Sequence, residues 1–380
     1  MSAFDYQISD NFIFSFKGQI FIQNKMQDIM SHKTNAYCRK FTLVLSFVLL
    51  CLISKSQYNF TEVDKVLADN QKALGNNLVT LIYKDGKLIY QKAIGDFNIK
   101  TKAPIASCSK WLTAALVMTF VEEGKISLDD KVSTYLPIFE TYGKSYITIR
   151  QCLSHQTGIT DNQKAVAKIL ERRKFESLEE EVKSFTKKEI AANPGTSFFY
   201  GGIGLNIAGR VLEVVAKKKF DVLMKQRIFT PLNMKYSSFT PEDYNNSVNP
   251  SGGAVSTAGD YMNFLSMILD KGTFMGKRIL SEASVNQMQT IQNKSILKKY
   301  TPKIAESFQY GLGEWIEETD SKGKSIVISS PGLFGTWPYI DKCRNYACII
   351  FIKRDLGEEQ IAIHLALKKA IENQIGGNCN

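Results

Sequence analysis

Strand-like sequence lies toward both ends of this chain with helix-like sequence between, and that order limits the folds open to it. Asn77 to Tyr83 and Lys87 to Ile94 are rich in β-branched and aromatic residues, and the Lys84-Asp85-Gly86 turn between them predicts a β-hairpin. Strand periodicity returns at Glu314 to Glu318, Ser325 to Ser330, Trp337 to Ile340 and Tyr346 to Ile352, with turns at Asp320 to Gly323 and Lys342 to Asn345. From Asp129 to about Pro241 the pattern is helical and no strand-rich block interrupts it. It is clearest at Gly204 to Val215 and Asp221 to Phe229. A last helix, Glu358 to Ile375, offers Ile361, Leu365, Ala366 and Ile375 to a sheet face. The expected class is α+β: an antiparallel sheet built from N- and C-terminal segments and flanked by helices, with a mainly helical inserted domain. On this reading the sheet subdomain takes about 58–125 plus 250–380 and the helical one about 126–249.

With 44% hydrophobic and 22% charged residues the composition is that of an ordinary globular chain. Residues 1–57 stand apart. Arg39-Lys40 precede a mostly apolar run from Phe41 to Ile53, which reads as the basic and hydrophobic regions of a signal peptide around residues 30–57. The run is shorter than the roughly 20 residues a membrane span needs, so secretion or a periplasmic location is expected, with an uncleaved N-terminal anchor as the alternative. Forty residues before the run are more than a signal peptide carries, so Met26 or Met30 is a candidate initiator. The formal net charge is +11, but the Lys clusters lack interleaved aromatic residues and read as solvated helix faces rather than a nucleic-acid surface. After the leader five cysteines remain. Cys108 and Cys152 sit in apolar runs as small hydrophobes, and Cys343 and Cys348 flank a hairpin turn where a disulfide is geometrically open. No Cys/His spacing resembles a zinc site, and no metal or organic cofactor is implied.

The chemistry-bearing segment is Ile105-Ala-Ser-Cys-Ser-Lys-Trp-Leu-Thr-Ala-Ala-Leu116. It places a serine at the mouth of an apolar helix that runs from Ser107, carries Trp111, Leu112, Ala115, Leu116, Thr119 and Phe120 on one face, and stops at Gly124. A lysine three residues after the serine lies on the same helical face, so the Lys110 amine can approach the Ser107 hydroxyl. A serine is a weak nucleophile unless a neighbour takes its proton, and a partly desolvated lysine can do so. Ser-x-x-Lys also occurs at Ser184, Ser295 and Ser321, each in Lys-rich polar surroundings that read as surface. Only the copy at Ser107 has a hairpin before it and an apolar helix behind it.

In that order of elements the Ser107-Cys-Ser-Lys110 site resembles the serine β-lactamase and penicillin-recognising family. The branch is that of class C β-lactamases, D-alanyl-D-alanine carboxypeptidases and related esterases. Thr148 to Gly158, Asn193 to Leu205 and Ser329 to Gly335 extend the resemblance across about Phe60 to Ile375. It implies a proton-relaying tyrosine at Tyr200, with Gly202 where relatives carry an asparagine that contacts amide-bearing substrates. It also implies Ser330-Pro331-Gly332 where relatives carry Lys-Thr-Gly or His-x-Gly, so Gly202, Ser330 and Gly332 line the substrate. The amides of Ser107 and Leu333 then form the oxyanion hole. Pro331, which cannot donate a backbone hydrogen bond, suits an edge position. His155, in Leu-Ser-His-x-x-Gly, ties a loop near the site rather than acting as a base. No Gly-x-Ser-x-Gly elbow or Ser-His-Asp arrangement is present.

The resemblance implies a secreted serine hydrolase working through an acyl-enzyme on small ester, amide or peptide substrates. The departures at 202 and 330–332 favour an esterase or a D-amino-acid-type amidase or peptidase. A true β-lactamase and a weakly catalytic module that binds wall peptide or protein are the alternatives.

Overall fold

Tyr346-Ala-Cys-Ile-Ile-Phe-Ile352 has no strongly polar position, as a strand covered on both faces requires, and it lies inside a seven-stranded sheet. The computed structural model describes residues 58–160, 175–240, 247–354, 357–377 and 379; the expected leader, residues 1–57, lies outside them. The sheet strands are β1 (Leu78–Lys84), β2 (Lys87–Ile94), β3 (Gln309–Tyr310), β4 (Trp315–Thr319), β5 (Ser325–Ser329), β6 (Trp337–Asp341) and β7 (Tyr346–Ile352). Their order is β2-β1-β7-β6-β5-β4-β3, every neighbour antiparallel. Leu78 faces Ile352 and Lys84 faces Tyr346, so the first hairpin zips onto the last strand and the sheet joins both parts of the sequence as expected. The hairpin turn has positive φ at Asp85 (49°) and Gly86 (80°), the backbone an Asp-Gly pair favours in a two-residue loop.

The helices that matter for the site are α1 (Thr61–Asp69), α2 (Ser109–Glu122), α3 (Ile149–Leu153), α4 (Leu178–Thr186), α5 (Ile203–Ala216), α6 (Ala258–Leu269) and α7 (Glu358–Ile375). Helix α6 packs on β7, β1 and β6, while α7 packs on α1 and sets His364 against Trp337 at 4.8 Å between ring centres. Helix α2 is buried at every position from Ser109 to Phe120 rather than along one face, because α5 and neighbouring helical turns close over the side away from the sheet. It begins at Ser109, after a 3₁₀ turn over Ala106–Cys108, and ends before Gly124, whose φ is +65°.

Several expectations need correction. The helical middle holds a short strand, Ser197–Phe199, paired in parallel with Leu297–Tyr300. It lies between Pro194-Gly195 and Gly201-Gly202, which leave too few residues for a helix. Helix α7 turns Ile363, His364, Leu367 and Ile371 inward, whereas Leu365 is 48% exposed and Ile361, Ala366 and Ile375 are not buried. Ile361, Ile363, Leu365 and Leu367 alternate in sequence, so two helical faces compete and packing selects the second. Pro331 follows β5, an interior strand, and so lies just past a strand end rather than on an edge.

Cys343 pairs with Cys379 across 36 residues of sequence, while Cys348 is a buried free thiol in β7 whose pKa burial raises to about 12. The bond pins the tail beyond α7 to the β6–β7 turn. Closing a loop of this length restricts the unfolded chain by about 4 kcal/mol in the chain-entropy description. The double variant Cys343→Ser/Cys379→Ser is therefore expected to lose stability up to that amount, read as a lower midpoint in denaturant unfolding with a steeper slope, because the released unfolded chain exposes more surface.

Candidate active site

The site forms where three segments meet: the turn before α2, the start of α5, and the loop after β5. Ala103–Pro104 pairs with Val255–Ser256, and the Ile105 amide donates to the Ala254 carbonyl at 3.0 Å, so the chain entering the Ser107 turn is held on one side. Helix α2 holds it on the other. Between them Ala106 takes a φ of +45°, a conformation costing an L-residue about 1–2 kcal/mol, and the surrounding clamps stabilise it.

From this turn Ser107 meets Lys110: Lys110 Nζ is 2.9 Å from Ser107 Oγ and donates to the Ser251 carbonyl at 2.8 Å. Lys110 is only 4% exposed. The competing Ser-x-x-Lys lysines differ: Lys187 and Lys324 are exposed, and Lys298 donates to the Glu306 and Phe308 carbonyls. Tyr200 stands just before α5 with its ring 4.9 Å from Lys110 Nζ. Burial pushes the Tyr200 phenol above its ordinary range, and hydrogen bonding with Ser107 and Trp315 opposes that shift.

His155 has a φ of +58° and shares a hydrogen bond with the Tyr310 hydroxyl at 3.0 Å, and its ring lies 4.7 Å from that of Tyr200. Burial first, and the nearby Lys110 second, drive its pKa well below the usual histidine value, so the imidazole is neutral. It buttresses Tyr200 within an aromatic cluster of Phe198, Tyr310 and Trp315. This is the loop-tying position expected of it.

Ser330 Oγ donates to the Ser107 carbonyl at 3.3 Å, which places the segment after β5 against the Ser107 turn. Gly332 is pressed closer: a Cβ there would lie 2.3 Å from the Ile105 carbonyl oxygen, a distance no side chain tolerates, and 3.1 Å from Cys108 Sγ. Gly332 and Gly335 close a tight turn with Leu333 at its exposed tip. Ser107, Lys110, Tyr200, Ser330 and Gly332 are thus brought together, with Gly202 at the N-terminus of α5.

Sequence reasoning missed several supporting residues. Ser251 supplies the carbonyl for Lys110; Thr113 donates to the Pro250 carbonyl, Ser109 accepts from the Ala254 amide, and Tyr261 donates to the Cys108 carbonyl. The only signal was the Asn249-Pro-Ser-Gly-Gly253 run, which marks a turn without saying what it faces. Among the described residues, the one grouping of three potential metal ligands is Asp341, Cys343 and Cys379. Its cysteines are disulfide-bonded and its aspartate pairs with Arg344.

The β-lactamase family profile matches residues 67–370, and the chain belongs to that family of serine hydrolases. A Bacteroides dorei crystal structure provisionally described as a β-lactamase is 29% identical, with a TM-score of 0.75 over 84% of this chain and 99% of that one. The octameric penicillin-binding protein homologue of Pyrococcus abyssi shares the fold at 22% identity and a TM-score of 0.68, covering 82% of this chain and 78% of its own. Among curated relatives, the teichoic acid D-alanine hydrolase of Staphylococcus aureus is 28% identical over 67% of this chain and 62% of its own length. The flp protein of the same species is 27% identical over 48% of this chain, and the match spans 39% of flp.

Two expected outcomes test this geometry. Gly332→Ala should force apart the Leu333 turn and the Ser107 turn and lower labelling of Ser107 by a fluorophosphonate probe at least tenfold, while circular dichroism still reports a folded chain. Beneath α2, burial pushes the Glu314 carboxyl up to about 8 against the pull of Lys342 and the Trp111 indole. Because this folded-state pKa is raised, the stabilisation is full below the unfolded value near 4.5 and is lost as pH rises toward 8. Glu314→Gln should flatten stability between pH 5 and 7.5 by up to about 1.4 kcal/mol per pH unit, measured by denaturant unfolding across that window.

Proposed function

We propose that this chain is a secreted serine hydrolase that works through an acyl-enzyme on Ser107, with esters as its preferred substrates. The observation that carries the reading is the 2.9 Å approach of Lys110 Nζ to Ser107 Oγ in a site that leaves Lys110 almost without solvent. Ser107 Oγ attacks the substrate carbonyl carbon as its proton passes to Lys110, acting as the base. The carbonyl π electrons move to oxygen, where the amides of Ser107 and Leu333 receive the charge. Collapse of that intermediate breaks the bond to the leaving group, which takes a proton relayed through Tyr200 from Lys110. Water then attacks the acyl-enzyme, the same groups return the proton, and Ser107 is restored.

Esters are favoured over lactams for three reasons. Gly202 has no side chain with which to grip an amide, and Ser330-Pro331-Gly332 has no cation to meet a substrate carboxylate. An alcohol also leaves more readily than an amine, so such a site loses less on esters. The Staphylococcus aureus relative named a teichoic acid D-alanine hydrolase supports a D-alanine-bearing anionic polymer as substrate, and the net charge of residues 58–380, 42 Lys/Arg less 34 Asp/Glu or +8, suits an anionic partner. Residues 1–57 serve as the leader and 58–380 as the hydrolase domain, with a sheet part and a helical part divided near 125 and 250.

Ser107→Ala should lower hydrolysis of p-nitrophenyl acetate by about 10³-fold or more, and Tyr200→Phe should lower kcat with a smaller change in KM. Full turnover by Ser107→Ala would overturn the proposal. A wild type that neither turns over the ester nor labels with a covalent serine probe would point instead to a binding module.

A further inference from the structure

We propose, resting on the acyl-transfer reading above, that Ser251 occupies the space of the side chain missing at position 202. There it selects acyl groups that carry a free amino group: the substrates are α-aminoacyl esters rather than N-acylated ones. A Cβ added to Gly202 would lie 2.7 Å from Ser251 Oγ and 3.5 Å from Ser251 Cβ. The glycine is therefore not a vacancy. A residue from a different loop has filled the position.

Ser251 is fixed from several directions. Its amide donates to Asn206 Oδ1 at 2.9 Å and to Asn249 Oδ1 at 3.2 Å, and its carbonyl accepts from Lys110 Nζ at 2.8 Å. Asn206 in turn donates its Nδ2 to Glu181 Oε1 at 3.1 Å, which sets the orientation of the amide so that its oxygen must face Ser251. The Ser251 hydroxyl donates to Asn249 Oδ1 at 2.8 Å. A hydroxyl has one hydrogen and two lone pairs, so once that hydrogen is committed to Asn249 the oxygen can only accept.

An asparagine at 202 would offer both an N–H donor and a carbonyl acceptor, which suits the acylated amine of a peptide or lactam side chain. Ser251 offers lone pairs alone, leaving an acylamide carbonyl without a donor and costing it an unpaired polar group on binding. A compact ammonium carries three donors and makes a charge-assisted bond to the same oxygen. One further feature agrees with a cation: the Ser330-Pro331-Gly332 segment adds no lysine of its own to repel it.

The test compares methyl esters of D-alanine, N-acetyl-D-alanine and propionic acid, with acid release followed by pH-stat for wild type, Ser107→Ala, Ser251→Ala and the double variant Gly202→Asn/Ser251→Gly. The wild type is expected to favour the D-alanine ester over its N-acetyl form at least tenfold in kcat/KM. Ser251→Ala should lower the ratio of D-alanine to propionate ester about tenfold, and the double variant should move preference toward the N-acetyl ester. A wild type that favours the N-acetyl ester, or that fails to hydrolyse the D-alanine ester, overturns the proposal. So does a Ser251→Ala variant that scales all three esters equally. If Ser107→Ala keeps full turnover, the acyl-transfer reading itself falls. Loss of turnover in Ser107→Ala with unchanged ratios in the Ser251 variants removes the selectivity proposal alone.

Discussion

A lysine amine buried between a serine hydroxyl and a backbone carbonyl is the constraint to which this architecture answers. Charging an amine inside a protein costs several kcal/mol unless it is paired, and Lys110 reaches Ser107 Oγ and the Ser251 carbonyl rather than water. Burying it requires protein on every side of α2. The sheet alone covers one face of a helix, so a second layer must close the other, and α5 with its neighbouring turns supplies it. The order of strands, helical middle and strands follows from that need: sequence on both sides of the middle builds the sheet, and the middle folds back over Ser107.

The loop after β5 answers a different need. Its glycine is forced by contact with the Ile105 carbonyl, and Ser330 bonds the Ser107 carbonyl, so the turn bearing Leu333 and the turn bearing Ser107 are locked together. The proposed backbone oxyanion site would depend on that locking, because amides act on developing charge only when they already point at it. The charged residue of the wider family is dispensable for this task, since the geometry comes from main chain. What its loss changes is which substrates feel attraction on entering.

Much of this was legible in the sequence. The hairpin turn, β7, the bounds of α7 and the meeting of Ser107 with Lys110 all followed from local pattern, because turn chemistry and uninterrupted apolar runs act over short stretches. The inward face of α7 did not, since alternating apolar residues give two equivalent stripes and only packing separates them. Nor did the Cys343–Cys379 pairing, which joins a turn to a tail far away in sequence. Ser251 was invisible for the same reason: its importance lies in contacts with Lys110, Asn206 and Gly202, each more than forty residues distant.

The glycine at 202 shows how such distant compensation changes the reading of a motif. Taken alone, a missing asparagine signals a weakened site. Set beside Ser251, it signals an exchanged one, in which a two-way hydrogen-bonding group has given way to an acceptor held by Asn249. The exchange leaves the nucleophile untouched, because Ser251 meets Lys110 through its carbonyl and Gly202 through its hydroxyl. Ser251 thus meets Lys110 and the space at position 202 through separate atoms. A change confined to its hydroxyl can redirect specificity while the carbonyl continues to hold the lysine in place.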